Sequence, residues 1–247
     1  MTQEGHSDHP AVVLIHGSMM GSWVWDKVLP HLSHRSLAVD LPGRGIHPQE
    51  PGVVRLPDAA RSVIDDIDAA GLRDVVLVGH SLGGVVAVAA AASLGSARAR
   101  GLVFLSSVVP REGRSWVGEL PMPNRILLNL ILRLQRKGAR APERQFRTAT
   151  ASDLDDQTVS AIWSRLVPEA PRLFLDRVSW QDATRVPRTF IRLNRDRDVG
   201  PKLQDRVISH LDPVDVIEVS AGHLAMIGQP SEVAASIDRA ASRMVTT

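Results

Sequence analysis

The stretch "DVVLVGHSLGGVVAVAAAASLG", residues 74–95, limits what this chain can fold into more than any other. It begins as a β-branched apolar run and ends rich in alanine, so strand preference gives way to helix preference. Only Gly79 to Gly84 separate the two, and the backbone has almost no loop in which to turn. A G-x-S-x-G sequence at such a corner puts its serine in a strained, positive-φ conformation, at a cost of about 1–3 kcal/mol. Gly79 and Gly83 keep the flanks bare so that the turn can close. The hydroxyl of Ser81 then stands above the strand ends, at the N-terminus of the next helix. The bland alternative is a glycine-rich packing turn with an idle serine.

The rest of the chain repeats the alternation. "PAVVLIHG" (10–17), "SLAVDLPG" (36–43), "DVVLVGHS" (74–81), "RGLVFLSS" (100–107), "RTFIRLN" (188–194) and "PVDVIEVS" (213–220) predict six strands. Helical spacing marks "SWVWDKVLPHL", which carries Pro30 near its end, and "PDAARSVIDDIDAAG", which places Ala60, Val63, Ile64 and Ile67 on one face before Gly71. A polar helix is expected after the fifth strand. The last begins near Pro230, with a stripe of Val233, Ile237, Ala240 and Met244. The expected fold is α/β: a mostly parallel six-stranded sheet covered by helices on both faces. Residues 111–186 break the rhythm, being rich in Arg, Pro and Leu with no convincing strand. They predict a helical cap inserted into a core made of 1–110 and 187–247.

At 247 residues one large domain with a well-buried core is expected. The formal charge is only +2, and the chain has neither Cys nor Tyr. Few groups therefore titrate between His and Lys, and a small positive excess is no argument for nucleic acid. Without cysteine there is no disulfide, thiolate nucleophile or Cys-ligated metal. No phosphate-loop or metal-ligand spacing occurs, so neither cofactor nor metal is expected. "MTQEGHSDHP" is polar and does not read as a secretory signal. "ILLNLILRL" (126–134) is too short to span a bilayer, so no integral membrane segment and a cytoplasmic location are expected.

A serine hydroxyl needs a base to take its proton. Of nine histidines, His6 and His9 lie in the N-terminal segment, and His31, His34, His47 and His210 read as solvated or capping residues. His16 and His80 read as structural. His223, in "SAGHLAMIGQP", lies between the last strand and the last helix, at the sheet edge where Ser81 emerges. It is the expected base. The base needs an acid to orient it, and "RDRDVGP" offers Asp196 and Asp198. Spacing alone does not separate these two. The order Ser, Asp, His suits an α/β sheet of this kind.

These residues make the chain resemble the α/β-hydrolases, and within them the plant methylesterase and hydroxynitrile lyase branch. "HGSMMGSWVWDKVLPHL", "GHSLGG", "DRDVGPKLQ", "AGHLAMIGQP" and the cap stretch "WSRLVPEAPRLF" carry the likeness over nearly the whole chain. The resemblance selects Asp196, because the family's aspartate stands eight positions before a glutamine, here Gln204. Asp198 is the fallback. It also implies an oxyanion hole from the backbone N–H groups of Ser18 and Leu82. Hydroxynitrile lyases of this branch carry lysine where this chain has Leu224, and threonine where it has Gly17, which argues against cyanohydrin cleavage. The serine at position 81 and the lack of tyrosine argue against epoxide hydrolysis and dehalogenation.

The expected function is that of a serine carboxylesterase acting on a small to medium apolar ester. The alternatives are a thioesterase, lactonase or other tailoring enzyme, and a receptor-like binder with a slow or vestigial triad. Met19, Trp116, Trp163 and Leu224 are the candidate pocket residues, with plain packing as the rival reading for each tryptophan. The leucine-rich run 126–134 reads as a packing face or, more sharply, as an acyl wall. "RLQRKGARAPERQFR" (133–147) reads as a solvated basic face, or as a docking patch for an acyl carrier protein, an anionic substrate or a lipid head group.

Overall fold

The computed structural model describes residues 9–244. Six strands, β1 (Ala11–Ile15), β2 (Ser36–Val39), β3 (Val75–His80), β4 (Ala99–Leu105), β5 (Arg188–Leu193) and β6 (Asp215–Val219), form one sheet in the order β2-β1-β3-β4-β5-β6. Every neighbouring pair is parallel. Parallel strands need helical crossovers, which bury both faces, and alternate residues therefore feed two separate cores. Val13, Ile15, Leu77 and Phe104 pack in one, with Val63 of helix α1 (Leu56–Ala69) and Val85 of α2 (Gly83–Leu94). Val12, Leu14, Val78 and Leu105 pack in the other, with Trp25. Each fully buried side chain of this size contributes roughly 1.5–3 kcal/mol relative to exposure.

Between β4 and β5 the chain makes α3 (Asn124–Leu134), the short α4 (Glu143–Gln145) running into a wide turn at Phe146–Thr150, α5 (Asp156–Arg165) and α6 (Pro171–Leu175). Its β pairing is limited to an isolated bridge between Ala139 and Glu169. After β5 come α7 (Pro201–Leu211), then β6, the short α8 (Ala225–Gly228) and α9 (Pro230–Arg243), whose Val233, Ile237 and Ala240 close the second core.

The expected helix at 22–32 is instead two 3-10 turns, Ser22–Trp25 and Leu29–His31. Pro30 supplies no N–H for a bond to the Asp26 carbonyl, so α-helical hydrogen bonding cannot run on through it. Among the described residues no helix is long and apolar enough to cross a membrane.

Candidate active site

The strand order explains where a site can form. β2 lies to one side of β1 and β3 to the other, so the chain reverses direction across the sheet at β1 and β3. A crevice opens beyond the carboxyl ends of strands at such a reversal. The loops that follow these two strands carry His16-Gly17-Ser18 and Ser81.

Ser81 has φ +51 and is buried, directly between β3 and α2. Its N–H donates to the Leu105 carbonyl at 3.1 Å, and its own carbonyl accepts from the Ser107 hydroxyl. A side chain at Gly83 would come within 2.5 Å of the His16 carbonyl, so only glycine lets α2 start this close to β1. Gly17 is equally confined: a Cβ there would lie 2.7 Å from His80 Nδ1 and 3.1 Å from the Ser81 Cβ. The Gly17–Ser18 segment thus passes beside the serine. Neither the Ser18 nor the Leu82 N–H donates to a protein acceptor among the described residues.

His223 and Asp196 come together from the loops after β6 and β5. His223 Nδ1 is 2.6 Å from Asp196 Oδ2, and both side chains are buried. Asp196 Oδ2 also accepts from the Ser106 hydroxyl at 2.6 Å, and its Oδ1 accepts from the N–H groups of Asp198 and Val199 at 2.7 and 2.9 Å. Burial favours the neutral acid here, yet the His223 charge and these hydrogen bonds outweigh it and hold the carboxyl below its usual range. For His223, burial opposes the charged ring, but the Asp196 charge and hydrogen bond, with Asp198 and Asp153 nearby, raise its pKa to about 9. Asp198 stands on the other side of the imidazole, its Oδ2 3.8 Å from Nε2, and accepts a 2.7 Å bond from Thr150 Oγ1. The two aspartates thus meet opposite nitrogens of the ring, Asp196 at Nδ1 and Asp198 at Nε2.

Gln204 explains its own place in the pattern. Fully buried, it accepts from the Leu193 N–H and donates to the Leu193 and Val199 carbonyls, which ties both ends of the Asp196 loop together. His80 is likewise buried and braces the His223 backbone, with Nε2 2.9 Å from the His223 carbonyl. Burial, together with the nearby His223 charge, keeps its ring well below the usual histidine pKa, and burial does the same for His16. His34, His47 and His210 all have partners: Asp238, Asp66, and the carbonyls of Arg206 and Val109. His9 faces the His34 ring edge-on, and His6 lies outside the described residues.

The sequence did not single out Ser106 or Ser107, which hold the acid and the elbow at the end of β4. The only signal was a polar pair closing an apolar strand. It also gave no sign of Glu169. This buried carboxylate, between α5 and α6, accepts from the Met19 N–H at 2.9 Å, from the buried Arg44 guanidinium at 3.1 Å and from the Ala170 N–H at 2.9 Å. Met19 has φ +63, and its carbonyl accepts from the Val167 N–H at 3.0 Å. The loop beside Ser81 is thereby pinned to the segment between β4 and β5.

Met19 and Leu224 are both buried in the second core, and Trp163 packs partly against the same cluster, on Phe146. Trp116 is set apart from them, edge-on to Phe174. Trp25 and Trp180 are core residues, the latter donating to the Pro110 carbonyl. A cavity of ≈ 440 Å³ beside Asp196 is lined by Ser152, Asp153, Asn194, Arg195, Asp196 and Arg197, and by none of the candidate pocket residues. No metal-holding group of three or more His, Asp or Glu occurs among the described residues.

A parallel sheet with a serine at a strained strand-to-helix corner and a buried His–Asp pair at the same edge defines a class of hydrolase. The profile of the alpha/beta hydrolase family matches residues 12–236, and the chain belongs to that family. It is 37% identical to Methylesterase 9 of Arabidopsis thaliana over 103 residues, 40% of each chain. It is 36% identical to a carbendazim hydrolyzing esterase of a Nocardioides species over 113 residues, 44% of this chain and 46% of that one. These alignments thus span less than half of either relative. Among solved structures, an extracellular alpha/beta-hydrolase from a Paenibacillus species superposes with a TM-score of 0.85, at 21% identity, over 94% of this chain and 98% of the other. That likeness is one of fold.

Proposed function

We propose that this chain is a serine esterase that cleaves small to medium apolar carboxylic esters through an acyl-enzyme. One observation carries the reading: the buried 2.6 Å contact between His223 Nδ1 and Asp196 Oδ2, at the sheet edge where the elbow of Ser81 opens. In this mechanism Ser81 Oγ bonds to the ester carbonyl carbon while its proton passes to His223 Nε2. Asp196 orients the ring and stabilises the imidazolium. The Ser18 and Leu82 N–H groups hold the oxyanion, a contribution of roughly 100- to 1,000-fold per donor. The tetrahedral species collapses, the bond to the alcohol oxygen breaks, and the alcohol leaves with the proton from Nε2. Water then attacks the acyl carbon, Nε2 again takes and returns a proton, and the acid departs. Residues 111–186 serve as the cap, with Met19, Trp163 and Leu224 shaping the acyl pocket.

Hydrolysis of 4-nitrophenyl esters from acetate to decanoate tests this reading. Turnover with a preference for the shorter and middle chains is expected. Folded protein that binds an ester tightly and releases no product would favour the receptor-like alternative.

The His223 pKa sets a pH profile. A base must be neutral to accept a proton, and a raised pKa keeps the ring charged to higher pH. With a pKa of about 9, roughly 1% of the ring is neutral at pH 7. Accordingly, kcat/KM should climb about tenfold per pH unit from pH 7 and level off near 9. Asp198→Asn removes a negative charge facing Nε2 and should move the midpoint to lower pH. A wild-type profile already flat from pH 7 would contradict this account of the base.

A further inference from the structure

Helix α3 is apolar on two sides, and only one of them packs against the protein. Of its apolar residues only Leu132 is buried, whereas Ile126, Leu127, Leu130 and Leu134 are 56–75% exposed and Met122, just before it, is 62% exposed. Positions 126, 127, 130 and 134 fall on one face of a 3.6-residue helix. The packing-face expectation holds for the opposite side, where Leu132 and Leu128 meet Val117, Ala139 and Phe174, but this second apolar face has none of the described residues packed over it. A contiguous apolar patch of this kind marks an interaction surface.

Charge identifies what the surface meets. From Leu120 to Pro142 the chain has no Asp or Glu, but it carries Arg125, Arg133, Arg136, Lys137 and Arg140. None of the five forms an ion pair among the described residues. Arg133, Arg136 and Lys137 are exposed and gather at the C-terminal end of α3, where Arg133 flanks the apolar stripe on the helix. A second copy meeting it through the same face would offer the same cations and no acid from this stretch to pair with them. A bilayer of anionic lipid offers both partners, acyl chains for the stripe and negative head groups for the cations. At 11 residues the helix is about 16 Å long, suited to lying in the interface and too short to cross it.

We propose that α3 and the basic loop after it dock this protein on anionic lipid surfaces. Co-sedimentation of the full chain with vesicles tests it, comparing phosphatidylcholine alone with phosphatidylcholine containing one-third phosphatidylglycerol. Binding should be at least tenfold tighter to the anionic vesicles and should weaken as salt is raised. Arg136→Gln with Lys137→Gln should weaken it about 30-fold, given the contribution of each cation near a charged membrane. Leu127→Ser with Leu130→Ser should weaken it at least tenfold. Both variants should keep wild-type circular dichroism and wild-type hydrolysis of a water-soluble ester. Three results would overturn the proposal: no preference for anionic vesicles, unchanged binding in the leucine variant, or a dimer of the wild type that the leucine variant abolishes. The last would assign the face to a second copy.

Discussion

Ser81→Ala should lower kcat for ester hydrolysis by about a million-fold, and His223→Ala by a similar factor. The size follows from what each variant leaves behind. The Ser81 backbone is anchored through its N–H to Leu105 and through its carbonyl to Ser107, and neither bond uses Oγ. Alanine at φ +51 is no worse placed than serine, so the elbow and the helix after it should stay folded. What disappears is the attacking oxygen. The proposed oxyanion donors would remain, and in serine triads such remnants retain only about 10³–10⁴-fold over water. Stopped assays at high enzyme concentration, with thermal melts on the same samples, separate chemistry from folding. Activity within tenfold of wild type in either variant would remove Ser81 or His223 from the mechanism.

Glu169→Gln should destabilise the fold by about 3–5 kcal/mol, because it leaves a buried guanidinium without its counter-charge. Arg44 has few other resources: its Nε and one terminal nitrogen are already buried without a partner. The loss is a large fraction of the roughly 5–15 kcal/mol that holds a protein of this kind together. Because Glu169 also accepts from the Met19 N–H, kcat should fall as well, even under conditions where the variant remains folded. Replacing Arg44 with methionine in the Glu169→Gln background should recover part of the stability, since it removes the orphaned charge while the new amide can still accept from the Met19 N–H. Urea denaturation of Glu169→Gln, Arg44→Met and the double that combines them measures the coupling. A Glu169→Gln midpoint equal to wild type would mean that the pair carries no such weight.

The architecture was readable because its signals are local. Apolar runs such as "DVVLV" and "AVVLI" suit strands buried on both faces, and the glycine-flanked serine can close only one kind of turn. Ser81 and His223 stood out as candidates for the same reason, each just past a strand end, whereas Asp196 shares its loop with Asp198 and was preferred only through the family resemblance. The harder features depend on contacts far apart in sequence. Ser106 meets Asp196 across 90 positions, and Met19 meets Glu169 across 150. No local pattern encodes either meeting. The 22–32 segment misled because its helical spacing is real, while Pro30 limits what the backbone can make of it. The leucines of α3 were only half legible: Leu128 and Leu132 do pack, but the run has more apolar residues than one side can bury, and which of them stay outside depends on distant partners.

If Ser81 is the activated nucleophile, a fluorophosphonate should phosphonylate it with loss of fluoride, which intact-mass spectrometry followed by peptide mapping reads. The expected result is a single adduct on Ser81 that is absent from Ser81→Ala and forms far more slowly in His223→Ala. An adduct at another residue, or unmodified Ser81 in protein that still turns over esters, would contradict that role.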